Sequence, residues 1–319
     1  MPDPTTRRPF GQTGLEVTPI CIGTSGLGSM PATYGFDTPE DRALDTLRAV
    51  FASPINFLDT SNNYAWGDSE RRIGIVLAEM GGLPDGFVLS TKVDRDYKTG
   101  EFSAARMQQS IQESQERLGL ERFQLVHLHD PEHAPFETIT APGGALDTLV
   151  GMREEGLIEH LGLAGGPVAV LERYLDTGVF EALITHNRYT LIDRSARRLL
   201  DRARAMGLGV INAAPFGSGI LAKGYAGQSR YGYREADPRF VERITRIEAA
   251  CDRHGVSMGA AALQFSMRNP SIDATIVGVT RPERVAQTLE WASTPIPDAL
   301  WPELDELAFD EGDPLLDRW

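Results

Sequence analysis

The sequence predicts an α/β protein, a single (β/α)8 barrel domain over residues 1–319 with an N-terminal β-hairpin and a long loop after its seventh strand. Eight short apolar segments alternate with eight segments of helical periodicity, and no linker interrupts them. Parallel neighbours need helical crossovers, and eight such units close a barrel. A doubly wound open sheet would place G-x-G-x-x-G after its first strand, whereas residues 23–28 read GTSGLG. The glycine order therefore favours the barrel.

Each predicted unit is a strand followed by a helix. The predicted strands cover residues 17–22, 56–59, 87–91, 123–129, 160–163, 182–185, 209–212 and 274–277. The predicted helices cover residues 39–51, 70–80, 104–118, 145–155, 168–176, 195–206, 238–269 and 282–292. Pro39 and Pro282 lie in predicted first helical turns, and Gly207 follows a predicted helix end.

Three segments lie outside this alternation. Residues 8–17, with Gly11 and Gly14, predict a hairpin that covers the N-terminal end of the barrel. Residues 214–237 form a Gly- and Tyr-rich loop, far longer than the usual connection of about two to six residues. Because it follows the seventh strand, this loop is a candidate lid or cofactor clamp. A short helix is expected at residues 302–308.

The charge and cysteine content exclude several classes of protein. The chain has 31 Lys and Arg against 45 Asp and Glu, a net charge of −14, which argues against nucleic-acid binding and anionic membranes. No segment has the roughly 18 apolar residues of a membrane span, and no apolar run follows the N-terminal arginines. Cys21 and Cys251 match no disulfide framework or metal spacing. We therefore expect a cytoplasmic protein; homo-oligomerisation stays open.

Polar side chains at the predicted strand ends form a candidate acid–base unit. Asp59 ends the second strand, Tyr64 lies five residues later, Lys92 ends the third strand and His129 ends the fourth. In a (β/α)8 barrel these ends share the catalytic face. A tyrosine titrates near pH 10, and a neighbouring ammonium such as Lys92 lowers its pKa, with Asp59 holding Lys92 in place. A structural ion pair and a packing tyrosine are the alternatives.

A metal site is the competing explanation for the histidines. His127 and His129 have strand spacing, so both point to the same face, as in an H-x-H metal pair. A metal-dependent barrel hydrolase would place this pair on the first strand, and residues 17–22 contain no histidine. We therefore expect no metal.

The ordered set Asp59, Tyr64, Lys92 and His129 resembles the catalytic tetrad of the aldo-keto reductase superfamily, whose (β/α)8 barrels bind NAD(P)(H) without a Rossmann fold. The resemblance extends through FGQTGLEVTPICIGTSGLG, FLDTSNNYAWGDSERRIG, STK, HLHDPE, NRYTLIDRSA, NAAPFGSGIL and TIVGVTRPERV. The segments HDPE, RYTLIDRSA and NAAPFGSGIL look most like the branch that contains D-threo-aldose (L-fucose) 1-dehydrogenases and pyridoxal 4-dehydrogenases.

The resemblance implies hydride transfer between a nicotinamide and an aldose, hemiacetal or aldehyde. Tyr64 would be the general acid for reduction and the general base for oxidation, with its pKa lowered by Lys92. His129 would orient the substrate oxygen or relay its proton. An aldose hemiacetal would become a lactone, and pyridoxal forms a similar hemiacetal. Tyr64, His129 and Trp66 would contact the substrate, with Trp66 as a stacking wall; a structural loop aromatic is the alternative for Trp66.

The resemblance also implies a set of cofactor contacts. These are Gly23, Thr24, Asp59, His186, Asn187, Pro215, Phe216, Gly217, Ser218, Gly219, Gly278, Val279, Thr280, Arg284 and Gln287. Residues 214–221 resemble the loop along the pyrophosphate, where glycines let backbone N–H groups approach the anion. His186 or Asn187 replaces the Gln that often holds the carboxamide.

The cofactor preference depends on the adenosine end. Many members grip the 2′-phosphate with a Lys, a Ser or Thr, and an Arg, whereas the matching positions here are Gly278, Val279 and Arg284. One guanidinium gives a dianionic phosphate little compensating charge, so NAD is favoured over NADP.

The alternatives to an aldose dehydrogenase are a pyridoxal 4-dehydrogenase, a general aldehyde or ketone reductase, and a nicotinamide-binding regulatory subunit such as those of ion channels.

Overall fold

Eight parallel strands form a closed barrel in a computed structural model of the protein, which describes residues 3–309 and 312–315. The strands in chain order are β1 (Arg8–Pro9), β2 (Glu16–Val17), β3 (Ile20–Gly23), β4 (Phe57–Asp59), β5 (Val88–Val93), β6 (Phe123–His129), β7 (Ile158–Gly165), β8 (Ala182–His186), β9 (Gly209–Ala213), β10 (Arg230–Tyr231), β11 (Arg234–Glu235) and β12 (Ala274–Gly278). Strands β3 to β9 and β12 form the barrel, which closes where β12 pairs with both β3 and β9. The predicted α/β barrel is confirmed.

Helices surround the barrel and decorate its ends. They are α1 (Pro31–Tyr34), α2 (Glu40–Phe51), α3 (Asp68–Met80), α4 (Ala104–Leu118), α5 (Phe136–Ile139), α6 (Ala145–Glu154), α7 (Val168–Leu175), α8 (Arg197–Ala205), α9 (Ile220–Gly227), α10 (Pro238–Arg253), α11 (Met258–Met267), α12 (Glu283–Ser293) and α13 (Leu300–Asp305). Short 3-10 helices cover Ser25–Gly28, Tyr64–Gly67 and Pro131–His133. Among the described helices, none has the length and apolar character needed to cross a membrane.

Helix α4 shows how local sequence sets these elements. The side chain of Ser103 accepts a hydrogen bond from the backbone N–H of Arg106 and caps the first turn. Met107 and Ile111, four residues apart, are buried on the face that packs against the core. The helix ends at Gly119, whose φ of +68° terminates it in a left-handed cap. The prediction of residues 104–118 is confirmed.

The predicted single helix over residues 238–269 is wrong. The segment forms two helices, α10 and α11, because Gly255 adopts a φ of +66° and Ser257 caps the second helix by accepting from the N–H of Ala260. Helix α10 buries one face, which includes Phe240, Ile244 and Ile247, whereas all residues of α11 are buried.

The N-terminal hairpin β1–β2 covers the bottom of the barrel. The ring of Phe10 is fully buried, lies edge-on to Phe57 at a centroid distance of 5.7 Å, and faces Gly209, where a Cβ would lie 2.4 Å from the ring. Arg8 Nε donates to the carbonyl oxygen of Asp273 at 2.7 Å and ties the hairpin to β12. The covering role predicted for residues 8–17 is confirmed, and this end of the barrel is closed by apolar packing.

Candidate active site

The four predicted catalytic side chains meet at the other end of the barrel. Asp59 ends β4, Lys92 lies in β5, His129 ends β6, and Tyr64 begins the short 3-10 helix that follows β4. All four line a cavity of about 610 Å³ at the C-terminal ends of the strands. The structure therefore brings together the residues that the sequence selected by strand position.

Lys92 organises the site through three hydrogen bonds. Its Nζ donates to Asp59 Oδ1 at 2.5 Å, to the carbonyl oxygen of Thr60 at 2.7 Å and to the hydroxyl of Tyr64 at 3.1 Å. Ser90 Oγ donates to the other Asp59 oxygen at 2.8 Å. Because an ammonium has three N–H donors, these contacts fix its position and direct one N–H at the Tyr64 hydroxyl.

The pKa of Tyr64 shifts in the direction opposite to the one expected. Burial, followed by the negative charge of Asp59 and of more distant carboxylates, holds this pKa well above its ordinary value. Asp59 lies 2.5 Å from the Lys92 ammonium and offsets its charge, so desolvation decides the direction. Burial and the Asp59 charge outweigh the stabilisation of the phenolate by Lys92, so the net pKa is raised and not lowered as expected. Tyr64 is a protonated donor at neutral pH and acts as a base only after losing that proton.

His129 lies between two carboxylates. Its Nδ1 is 2.9 Å from Asp94 Oδ2, an ion-pair distance outside hydrogen-bond geometry, and its Nε2 is 3.5 Å from Asp130 Oδ1. Burial lowers the pKa of His129, but the charges of Asp130 and Asp94 raise it more, leaving it above its ordinary value. The imidazole is edge-on to the Tyr64 ring, at a centroid distance of 6.0 Å.

Asp94 and Asp130 are functional candidates that the sequence analysis missed. Asp94, fully buried, accepts hydrogen bonds from the hydroxyl of Tyr97 at 2.8 Å and from the backbone N–H of Arg95 at 2.7 Å. Asp130 follows His129 directly. Both carboxylates come just after a barrel strand or its catalytic residue, so extending the search one or two residues past each strand end would have found them.

His127 takes no part in this cluster. Its ring is fully buried and packs against Gly162, where a Cβ would lie 2.2 Å from it. Burial and the charge of Lys92 lower its pKa well below the ordinary value, so the imidazole is neutral. Among the described residues, the group with metal-type ligand atoms close together consists of Asp94, His129 and Asp130, not the H-x-H pair.

Most of the predicted cofactor contacts line the same cavity. Twelve of the fifteen do so: Gly23, Asp59, His186, Pro215, Phe216, Ser218, Gly219, Gly278, Val279, Thr280, Arg284 and Gln287. At Gly278 an added Cβ would meet no protein atom within 4 Å, so a glycine there leaves open space beside the barrel mouth. The Ser218 and Gly219 backbone stands at the start of α9.

Three predicted contacts lie behind the cavity wall instead. Thr24 is buried, and its hydroxyl donates to the carbonyl oxygen of Asp59 at 3.0 Å. Asn187 is buried with a φ of +60°. Gly217 has a φ of +52°, and a Cβ there would lie 2.2 Å from the ring of Tyr231. These residues shape the backbone around the cavity rather than its surface.

Trp66 does not form the predicted substrate wall. Its side chain is 68% exposed, its backbone has a φ of +58°, and it does not line the cavity. It packs edge-on against Tyr97 at a centroid distance of 6.0 Å, and Tyr97 does line the cavity. The left-handed backbone at Ala65 and Trp66 turns the indole outwards, which residue spacing alone does not indicate.

Positively charged side chains other than Arg284 also line the cavity. Arg284 Nη1 donates to Gln287 Oε1, so both predicted residues are close together. Lys223, Arg281 and Arg42 also line the cavity, from α9, the segment after β12 and α2. No spacing rule links these three residues, because separate elements bring them together.

Residues 19–308 match the Aldo/keto reductase family. The chain therefore belongs to this family of (β/α)8 oxidoreductases, as the tetrad indicated. D-threo-aldose 1-dehydrogenase of Pseudomonas sp is 30% identical over 92% of this chain and 94% of its own. Pyridoxal 4-dehydrogenase of Microbacterium luteolum is 28% identical over 93% and 96%, and L-galactose dehydrogenase of Arabidopsis thaliana is 31% identical over 88% and 86%.

Solved structures agree on the fold. An aldo-keto reductase of Bacillus halodurans in its holo form superposes with a TM-score of 0.76 over 96% of this chain and 97% of that one, at 19% identity. Members of this family use NAD(P)(H), so a nicotinamide cofactor is the group that the cavity must fit.

Proposed function

We propose that the protein is an NAD(P)-dependent dehydrogenase that oxidises the hemiacetal form of an aldose to a lactone. The observation that carries the proposal is the buried Lys92 ammonium, which joins Asp59 and the Tyr64 hydroxyl beside His129 in one cavity. The similarity to D-threo-aldose 1-dehydrogenase and L-galactose dehydrogenase supports the substrate class.

The residues around the cavity fit a nicotinamide dinucleotide. Ser218 and Gly219 at the start of α9, together with Gly278, would hold its phosphates. Arg284 would hold its adenosine end. When bound, the nicotinamide accepts or donates the hydride. We propose NAD as the preferred cofactor because Gly278 and Val279 stand where many members place a Lys and a Ser or Thr.

The chain itself positions the substrate and moves one proton. In reduction, the protonated Tyr64 hydroxyl donates its proton to the carbonyl oxygen, and Lys92 stabilises the resulting phenolate at 3.1 Å. In oxidation, the Tyr64 phenolate accepts the proton of the anomeric hydroxyl. His129 orients that oxygen, and burial of Asp59 and Lys92 keeps water from the charged pair.

The test is an oxidation screen with NAD and NADP against L-fucose, D-arabinose, L-galactose, D-glucose and pyridoxal. We expect reduced nicotinamide to form with at least one aldose, and kcat/KM to be higher with NAD. Formation with pyridoxal alone would favour the pyridoxal 4-dehydrogenase alternative, and no reaction across the panel would contradict the proposal. A strong NADP preference would contradict the cofactor assignment.

Tyr64→Phe tests the proposed acid. The substitution keeps the ring and removes the hydroxyl, so we expect kcat to fall by about 10²–10⁴-fold, the range typical of general acid–base catalysis. Cofactor affinity, measured by fluorescence titration, should stay within about twofold because the hydroxyl contacts Lys92 and Tyr64 is not among the predicted cofactor contacts. Near-normal turnover would show that Tyr64 is not the acid.

The cellular compartment also belongs to the proposal. Cys21 and Cys251 are both buried free thiols, which supports a reducing location such as the cytoplasm.

A further inference from the structure

The two carboxylates beside His129 differ in how they are held. Asp94 is fully buried, and protein donors occupy its oxygens: the Tyr97 hydroxyl, the Arg95 backbone N–H and the Arg95 guanidinium at 3.3 Å. The carboxyl group of Asp130 accepts no hydrogen bond from residues 3–309 and 312–315. Its Oδ1 is buried and has no hydrogen-bond partner there. Buried polar oxygens are normally paired, so Asp130 calls for an explanation that Asp94 does not.

Asp130 is held at the cavity by its backbone. Its φ of +43° and ψ of 52° lie in the left-handed region, which a non-glycine residue rarely adopts. Its N–H donates to the carbonyl oxygen of Ala164 at 2.8 Å, and its carbonyl oxygen accepts from the N–H of His133 at 3.2 Å. These bonds fix this left-handed conformation, which Asp adopts more readily than most residues, at the end of β6 and next to the cavity.

The position of the carboxyl group defines what it can contact. Asp130 lines the cavity with a side chain that is 17% exposed, and its Oδ1 lies 3.5 Å from His129 Nε2 and 4.0 Å from His186 Nε2. The reacting oxygen of a substrate must reach the Tyr64 hydroxyl and His129. Because Asp130 Oδ1 lies 3.5 Å from His129 Nε2 and lines the same cavity, a hydroxyl on the carbon next to the reacting carbon can come within hydrogen-bond distance of it.

We propose that Asp130 determines specificity by accepting a hydrogen bond from the hydroxyl on the carbon next to the reacting carbon. The enzyme would thus select 2-hydroxy aldehydes and their hemiacetals, and reject analogues that lack this hydroxyl or carry an anion in its place. This inference rests on the proposed function and narrows its substrate class. A site built to bond a substrate hydroxyl discriminates strongly against the deoxy analogue, since the buried carboxyl group is then left unpaired.

The electrostatic surroundings agree with a hydroxyl donor at this place. Burial raises the pKa of Asp130, and the charge of His129 opposes this, while Asp94 adds to it and Arg95 and Lys92 oppose it. A poorly solvated carboxyl group gains from an O–H donor. His186 faces Asp130 as a neutral imidazole, since burial and nearby positive charges lower its pKa to about 3, so it supplies no compensating charge.

The test combines substitutions in the protein with removal of the substrate hydroxyl. Wild type, Asp130→Asn and Asp130→Ala are assayed with D-arabinose and 2-deoxy-D-ribose, and with L-galactose and 2-deoxy-L-galactose. We expect wild-type kcat/KM to favour the 2-hydroxy sugar by about 10²-fold or more. In Asp130→Ala, kcat/KM for the 2-hydroxy sugar should fall by most of that factor. For the 2-deoxy sugar, kcat/KM should change by less than about threefold.

Other results separate the two hypotheses. An equal loss of kcat/KM on both sugars would show that Asp130 acts only through His129. Equal wild-type kcat/KM for the 2-hydroxy and 2-deoxy sugars would also overturn the inference. In both cases the proposed dehydrogenase function would stand. No activity of wild type on any sugar or aldehyde would refute the proposed function itself. Glu137→Gln, at a side chain 73% exposed, is the matched control and should leave both ratios unchanged. Asp130→Asn is nearly isosteric and keeps one acceptor oxygen while losing the charge, so where the alanine variant unfolds we expect it to retain part of the preference for the 2-hydroxy sugar. An equal loss on both sugars in this variant would contradict the inference.

Discussion

His186 shows how burial sets the charge of a residue at the cavity. Its side chain is only 15% exposed, and burial together with the positive charges of Arg188, His129 and Lys92 lowers its pKa to about 3. An unfolded histidine titrates near 6.5. The neutral ring can therefore accept or donate one hydrogen bond in the cavity throughout the neutral range.

This shift makes a stability prediction with a defined sign. Because the folded pKa lies below the unfolded one, the unfolded chain binds the extra proton, and His186 destabilises the fold as the pH falls below about 6.5. We expect wild type to lose about 2 kcal/mol relative to His186→Gln between pH 7 and pH 5. Urea unfolding at both pH values measures it. Groups common to both proteins cancel in this difference, and parallel pH curves would contradict the assignment.

The positions of the four candidate catalytic residues were predictable one by one, whereas their electrostatics were not. Asp59, Lys92 and His129 each end a strand, and that rule depends only on local sequence. The direction of the shift in the Tyr64 pKa depends on the burial of the hydroxyl and on the distance between Asp59 and Lys92. Both are properties of the folded barrel.

At the scale of elements, the loop over residues 214–237 is folded onto itself. It contains helix α9 and the hairpin β10–β11. The backbone N–H of Tyr233 donates to Ser218 Oγ at 2.8 Å, and Gln228 Nε2 donates to the Ser218 carbonyl oxygen at 3.0 Å. Arg230 Nη1 donates to the carbonyl oxygen of Thr33 at 3.0 Å and joins the loop to α1. The long loop expected as a lid or clamp is therefore an ordered wall of the cavity.

Gly217 is the position where this wall is most sensitive. Its φ of +52° strains any other residue, and a Cβ would lie 2.2 Å from the buried ring of Tyr231. We expect Gly217→Ala to raise the cofactor KM about tenfold, a change of about 1.4 kcal/mol, with a smaller effect on kcat. Initial rates at varied cofactor concentration measure both. Gly151→Ala in α6, where a Cβ meets nothing within 4 Å, is the control; equal effects of the two variants would contradict the role of Gly217.

Strand positions were easier to predict than helix ends. Every barrel strand contains the apolar core of its predicted segment, and the prediction for β6 matches at both ends. The break between α10 and α11 was missed although the pattern changes there, from one buried face in α10 to burial on every side in α11. Ser257, a capping residue two positions after Gly255, was the available signal.

At the scale of the whole molecule, the two ends of the barrel differ in what their side chains do. The hairpin closes one end with Phe10, while the other end carries the charged cavity. Stability and chemistry are thus separated along the barrel axis, as is general for this architecture.

Phe10→Ala tests this separation. Removing a fully buried ring should destabilise the protein by about 3–5 kcal/mol, because the cavity left beside Phe57 and Gly209 cannot collapse completely. We expect the KM values at 25 °C to stay unchanged. Urea unfolding, expected to show one transition for a single domain, and steady-state kinetics check both parts. A changed KM at unchanged stability would refute the division.

The sequence by itself determined the barrel, its N-terminal hairpin and the strand-end positions of the four candidate tetrad residues. Hydrophobic periodicity and the residues at strand ends are local patterns. Because the strand–helix unit repeats eight times, the C-terminal ends of all eight strands lie at the same end of the barrel. Only the tertiary structure decided that Asp94 and Asp130 bracket His129, that Trp66 turns outwards, and that Lys223, Arg281 and Arg42 line the cavity. These features depend on backbone conformation in connecting segments and on charges from distant elements, which interact through space at distances that residue spacing does not encode.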